Sequence, residues 1–155
     1  MPRAIATTTA VDRATLVETL RARRDGVLIT RRSDDGVQAS PVTFAVDGAG
    51  RVVISTYPER AKAANLRRDA RASLLALGST FADAWVQVDG TAEVIDAPDS
   101  VEPLVEYYRA AAGEHPDWDE YREAMVRQGK SIVRITIERW GPVATGGFPA
   151  RLAEG

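Results

Sequence analysis

Cysteine is absent from this chain of 155 residues, and histidine occurs once, at His115. The first absence removes disulfides, thiolate metal sites and cysteine nucleophiles together. The second removes histidine clusters, so no metal site is expected. An excess of one charge is also lacking: 20 Lys and Arg stand against 22 Asp and Glu, for a net charge of -2. A general nucleic-acid binder needs a basic excess, so nucleic acid is not an expected partner. No apolar run approaches the ~20 residues of a membrane span, and residues 1–10 lack the apolar stretch of a secretory signal. A membrane is therefore not an expected partner, and the cytoplasm is the expected location. Internal repeats and low-complexity segments are missing too.

What is present is ordinary for a globular domain: 45% hydrophobic and 27% charged residues. One domain over 1–155 is expected, with 1–10 and 146–155 as candidate flexible ends. Residues 12–24 read as a helix with an apolar stripe of Leu16, Val17 and Leu20. Short strands follow at 27–30, 37–46 and 51–56, joined by turns around Asp35-Gly36 and Asp47-Gly48. A helix over 59–69 opens after Pro58, and strands at 72–77 and 85–95 come next. Capping boxes at Asp99-Ser100-Val101-Glu102 and Asp117-Trp118-Asp119-Glu120 open two more helices, with Gly113 and Gly129 as their stops. The last strand covers 131–139, and the Gly- and Pro-containing tail is expected to be irregular. Hairpin connections dominate, which disfavours a doubly wound sheet and favours a mainly β fold: a small antiparallel barrel of six strands with about four peripheral helices.

One segment carries a chemical signal. Residues 55–65 run Ser55-Thr56-Tyr57-Pro58-Glu59-Arg60-Ala61-Lys62-Ala63-Ala64-Asn65. A strand ends on two hydroxyls and a helix begins with two cations in its first turn. Cations there oppose the helix dipole by about 0.3–1 kcal/mol each. A bound phosphate or carboxylate would reverse that sign. The alternative is a solvated basic helix, since Arg67, Arg68 and Arg71 continue the run and Glu59 offsets the dipole. A second segment, Gln38-Ala39-Ser40-Pro41-Val42, puts a proline inside a strand. Proline marks an edge or a bulge, where the backbone is open to a flat ligand; a plain edge strand is the alternative.

The run Arg60-Ala61-Lys62-x-x-Asn65-Leu66-Arg67-Arg68-Asp69-x-Arg71-Ala72-Ser73 resembles the split β-barrel flavin and deazaflavin oxidoreductases related to pyridoxamine 5'-phosphate oxidase. The later run from Tyr108-Arg109 through Gly113-Glu114-His115, Asp117-Trp118-Asp119 and Tyr121-Arg122 to Ala124-Met125-Val126 is similar to the F420-dependent B group of actinobacteria. The likeness spans residues 24–137. It implies a six-stranded antiparallel split β-barrel and a homodimer with cofactor sites at the interface. It implies coenzyme F420 as cofactor, with FMN as the alternative. The phosphate would meet Arg60 and Lys62, with Ser55, Thr56, Ala61 and Asn65 beside it. The ring would lie along Gln38, Ser40, Pro41 and Val42. A partner-chain residue near 83–85 would complete the pocket, and Arg67 and Arg68 would line a groove for the acidic F420 tail. The implied activity is hydride transfer from the reduced deazaflavin to a small unsaturated organic acceptor. FMN-dependent oxidation–reduction and non-catalytic F420 storage are the other readings. No residue stands out as a general acid, so no catalytic residue is assigned; solvent, Tyr57 or a substrate group would supply the proton.

The remaining chemistry-bearing residues have simpler readings. His115 reads as a surface turn, and Tyr107, Tyr108, Trp118 and Tyr121 read as helix packing. Asp34, Asp35, Asp117 and Asp119 read as turn and cap residues rather than metal ligands.

Overall fold

A computed structural model describes residues 4–153. Parts of both expected flexible ends, residues 1–3 and 154–155, lie outside the described residues. The strands are β1 (Thr7–Thr9), β2 (Asp25–Arg31), β3 (Val37–Thr43), β4 (Ala45–Val46), β5 (Val52–Thr56), β6 (Arg71–Ala76), β7 (Val86–Ile95), β8 (Ser131–Trp140) and β9 (Val143–Thr145). The helices are α1 (Arg13–Arg21), α2 (Ala61–Arg68), α3 (Val101–Ala112) and α4 (Trp118–Gln128).

Seven strands form one antiparallel sheet in the order β3-β2-β6-β7-β8-β5-β4. The strand expected over 37–46 is broken. Its halves, β3 and β4, lie at opposite edges of that sheet with only Phe44 between them. The sheet must therefore curl until its edges approach, which makes the split barrel. Phe44 is fully buried at this crossing, and its N–H donates to the Arg24 carbonyl at 2.8 Å. One apolar side chain turned into the core thus replaces the continuous strand that alternation suggests.

The two sheet faces feed two cores. The barrel interior holds Leu28, Val52, Ile54, Leu74, Val88 and Ile135, with Leu16 and Leu20 of α1 packed against them. Each such side chain contributes about 1.5–3 kcal/mol when fully buried. On the outer face, Ala45, Val53 and Ile132 meet Val101, Leu104 and Val105 of α3 and Tyr121 and Met125 of α4. A bulge between Asp89 and Gly90 bends β7 against β8. Gly90 is required there, because a Cβ would sit 1.9 Å from the Thr136 carbonyl oxygen.

Two other details differ from expectation. The tail is not wholly irregular: β9 pairs antiparallel with β1, and Thr7 matches Thr145. Neither three-residue strand shows a pattern of its own, so only their pairing across the chain defines them. The first capping box also does not form. Ser100 is the N-cap of α3, but its hydroxyl donates to the Lys130 carbonyl at 2.6 Å instead of capping. The second forms as expected: the Asp117 carboxylate accepts from the Glu120 N–H at 3.1 Å, and left-handed Gly129 ends α4. Among the described residues no helix is long and apolar enough to cross a membrane.

Candidate functional site

Strand β5 delivers Thr56 to a tight turn. The Arg60 N–H donates back to the Tyr57 carbonyl at 3.1 Å, and α2 starts at once. Arg60 is the N-cap, with extended backbone and no side-chain cap bond. Ala63 and Ala64 are the first amides to reach an acceptor within the helix, the Arg60 carbonyl. The amides of Ala61 and Lys62 precede it and belong to the set that a helix cannot satisfy itself. The helix start thus lacks the usual Ser, Thr, Asp or Asn cap and presents open donors.

The cations agree with this. Among the described residues neither Arg60 nor Lys62 forms an ion pair, and neither does Glu59, which does not neutralise them. Burial, and then the charge of Arg60, hold the Lys62 ammonium below its ordinary value. Beyond the first turn of α2 the pattern reverses. Arg67 pairs with Asp96 at 2.6 Å, and Arg71 with Asp69 at 2.7 Å. Arg68 donates to the Arg31 carbonyl at 2.8 Å and to Asn65 Oδ1 at 3.1 Å. Arg67 and Arg68, expected to line a tail groove, are therefore engaged within the chain. The unpaired charge is confined to the first turn, where an anion helps most.

The segment 38–42 is an edge strand, as both of its readings require. It pairs with β2 alone, with Gln38 opposite Thr30 and Pro41 opposite Val27. Gln38, Ser40 and Val42 share its half-buried face, and Ala39 and Pro41 are exposed.

The fold joins the two segments at one place. Asn65 Nδ2 donates to Gln38 Oε1 at 3.3 Å and to Thr30 Oγ1 at 3.1 Å. Asn65 thus faces into the protein, 8% exposed, and its side chain is spent on β2 and β3. The residue expected beside the phosphate thus ties α2 to β2 and β3. Ser40 and Thr56 differ again. Their buried hydroxyls are without a hydrogen-bond partner among the described residues. Buried polar groups are normally paired, so two orphans on the two expected segments fit a ligand or water that completes them. Ser55 and Ala61 flank the turn, half-buried and exposed respectively. No described hydrogen bond ties Pro41 or Val42 to α2; both are bound to β2.

Thr30 was not expected here. A polar residue on the inward face of an otherwise apolar strand was the available signal. The Tyr57 hydroxyl donates to Gln128 Oε1 at 3.1 Å, and Lys130 Nζ stands 5.3 Å from its ring centroid. Trp85 is partly exposed, and Asp83 caps its own turn by accepting from the Thr80 N–H at 2.9 Å. A groove of about 670 Å³ crosses the outer face of β2, β6, β7 and β8, away from the α2 start. Its polar groups are largely paired internally: Ser73 donates to Asp89 at 2.6 Å, and Thr91 donates to Glu138. No group of three or more metal-ligating side chains gathers among the described residues.

The sequence profile described as pyridoxamine 5'-phosphate oxidase matches residues 13–144. The chain belongs to that family. Solved structures agree on the fold. A conserved hypothetical protein, Rv2991 from Mycobacterium tuberculosis, superposes with a TM-score of 0.73 at 24% identity, covering 90% of this chain and 89% of that one. A protein described as an F420 reductase matches with a TM-score of 0.61 at 18% identity, over 80% and 94% of the two chains. A heme binding protein from Mycobacterium smegmatis matches at 0.65 and 20% identity, over 85% of this chain but 54% of that one. These structures share the fold of this chain.

Proposed function

We propose that this protein belongs to the F420-dependent B group and binds coenzyme F420, with its phosphate at the start of α2. The observation that carries the reading is the pair of unpaired cations, Arg60 and Lys62, on a helix start without a side-chain cap. A helix end carrying open amides and two positive charges is poorly stable alone and well matched to an anion. The orphan hydroxyls of Ser40 and Thr56 support a ligand that spans both segments. The neighbour described as an F420 reductase lends the cofactor its name.

In this reading Arg60 and Lys62 hold the phosphate, with the Ala61 and Lys62 amides below it. The Ser55 and Thr56 hydroxyls border it. Residues 38–42 give the ring an edge strand to lie along, and a second copy of the chain closes the site in a homodimer. Reduced F420, when bound, supplies the hydride that passes to a small unsaturated organic acceptor. The chain's own part is to orient the ring and keep water from it.

The test is absorbance titration of the protein with F420 and, separately, with FMN. Saturable F420 binding is expected. Tight FMN binding with negligible F420 binding would replace the cofactor. Saturable F420 binding with no oxidation across a broad panel of acceptors would make the protein a store rather than an enzyme.

A further inference from the structure

Arg68 fixes the orientation of two amides beyond it. A guanidinium donates hydrogen bonds and cannot accept them. The Asn65 atom that receives Arg68 at 3.1 Å is therefore the oxygen, Oδ1. Nitrogen Nδ2 is left to donate, and it reaches Thr30 Oγ1 at 3.1 Å and Gln38 at 3.3 Å. Gln38 must meet it with oxygen, so Oε1 points inward, where the Thr30 hydroxyl also donates to it at 3.4 Å. Thr30 is 1% exposed and Asn65 8%, so water has little access to rearrange the chain of bonds. The Arg68 end is itself anchored on the Arg31 carbonyl at 2.8 Å.

What is left of Gln38 is Nε2, with two N–H groups that no acceptor among the described residues takes. Gln38 is half-buried on the edge strand β3. An unconstrained glutamine flips its amide to suit a donor or an acceptor. This one cannot flip without setting Nε2 against Asn65 Nδ2, donor to donor.

We propose that Gln38 is a specificity-determining contact that presents a fixed pair of N–H donors, so that the site selects ring systems with a hydrogen-bond acceptor at that edge. Asn65 and Arg68 are positioning residues that hold this orientation, not phosphate ligands. The inference rests on the cofactor reading above. The acceptor it calls for is a ring carbonyl or an unprotonated ring nitrogen, as on the pyrimidinedione edge common to F420 and FMN. A ring offering only donors there is rejected, because its N–H would meet N–H in a half-buried place.

Gln38→Glu tests this directly. It keeps an inward oxygen for Asn65 and Thr30 and replaces the outward N–H2 by oxygen. We expect at least tenfold weaker binding of whichever cofactor the wild type takes, with unchanged affinity for inorganic phosphate. Arg68→Met releases Asn65 and should weaken the cofactor at least threefold, with Arg68→Lys restoring it. In the free protein, side-chain amide NMR should show slow exchange for Asn65 and fast exchange for Gln38, and the cofactor should slow Gln38 alone. A merely structural role for Arg68 would change stability and leave the Gln38 amide signals in place. Wild-type affinity in Gln38→Glu, or slow exchange of Gln38 in the free protein, would overturn the inference while the cofactor reading stands. A wild-type chain that binds neither F420 nor FMN would overturn the cofactor reading and the ligand choice together.

Discussion

The α3–α4 pair and the start of α2 both set cations and aromatics against the same sheet, yet they treat polar groups in opposite ways. Between α3 and α4 the aromatic cluster and the charges beside it are largely paired within the chain. The rings of Tyr108, His115, Trp118 and Tyr121 pack with centroids 5.1–5.7 Å apart. Glu114 accepts from Trp118 Nε1 at 2.9 Å and from Arg109 at 2.8 Å, and the Arg109 guanidinium lies 4.8 Å from the Trp118 centroid. Arg122 pairs with Glu102 at 2.8 Å, and the Tyr121 hydroxyl donates to the Leu104 carbonyl at 3.0 Å. At the α2 start two cations, the Thr56 hydroxyl and the first amides of the helix lack partners among the described residues, as does the Ser40 hydroxyl on β3. A satisfied cluster uses its polarity to hold itself together. An unsatisfied one, kept in a folded protein at a cost in stability, points to something outside the chain.

The largest expected effect breaks the satisfied side. Leu104 is fully buried between α3, α4 and the sheet. Leu104→Ala should destabilise the fold by about 3 kcal/mol, within the usual range for such cavities. A shift in the denaturation midpoint would show it. Cofactor affinity per folded molecule should stay within about twofold, well under 1.4 kcal/mol. A matching loss of affinity would mean that α3–α4 belongs to the site and that the contrast is false.

The double variant Arg60→Ala with Lys62→Ala should act the other way round. Two charge-assisted contacts at about 1.5–3 kcal/mol each predict a loss of affinity of at least about 2 kcal/mol, read by cofactor titration. The free protein should become no less stable, because two cations leave a helix start that repels them. A destabilised free protein with unchanged affinity would remove both residues from the site.

That contrast was only partly open to sequence reasoning. Alternation in β7 and β8 and the apolar stripe of α1 are local patterns, so these elements could be read directly. The break at Phe44 could not, because strand alternation continues through it and only closure of the barrel requires it. Pairing of β1 with β9 is set by residues 138 positions apart, Thr7 and Thr145, whose hydroxyls lie 2.7 Å from each other. The cations at the α2 start were legible because their conflict with the helix dipole is local. Which arginines stay unpaired was not, since Asp96 and the Arg31 carbonyl reach Arg67 and Arg68 from distant segments. For the same reason the direction of the Asn65 side chain is not legible locally, since it depends on Thr30 and Gln38.

A smaller effect follows from Lys62 alone. Burial and the neighbouring charge of Arg60 lower its pKa, so its cation is lost at a lower pH than that of a free lysine. A bound phosphate favours the charged form and pulls the pKa back up. Affinity is therefore full below the pKa of the free protein and declines as pH rises through it, with proton uptake on binding in that window. The loss should approach the worth of one charged contact, about 1.5 kcal/mol. Lys62→Arg should remove the decline, and a titration series from neutral to alkaline pH would show whether it does.

Thr56→Val gives the smallest change and the finest division between the two regions. Thr56 is 5% exposed, and its hydroxyl has no partner among the described residues. Valine keeps the shape and replaces the hydroxyl by a methyl. A buried hydroxyl left without a bond costs about 1–3 kcal/mol, so the free variant should be more stable by about 1 kcal/mol in denaturant titration. If the hydroxyl completes its bonding on the cofactor, affinity falls by a similar amount, about fivefold. Greater stability with unchanged affinity would make Thr56 a packing defect and move the site towards Arg60. Lower stability would mean that a buried water already satisfies the hydroxyl, and the polar bookkeeping at the α2 start would then resemble that of α3 and α4.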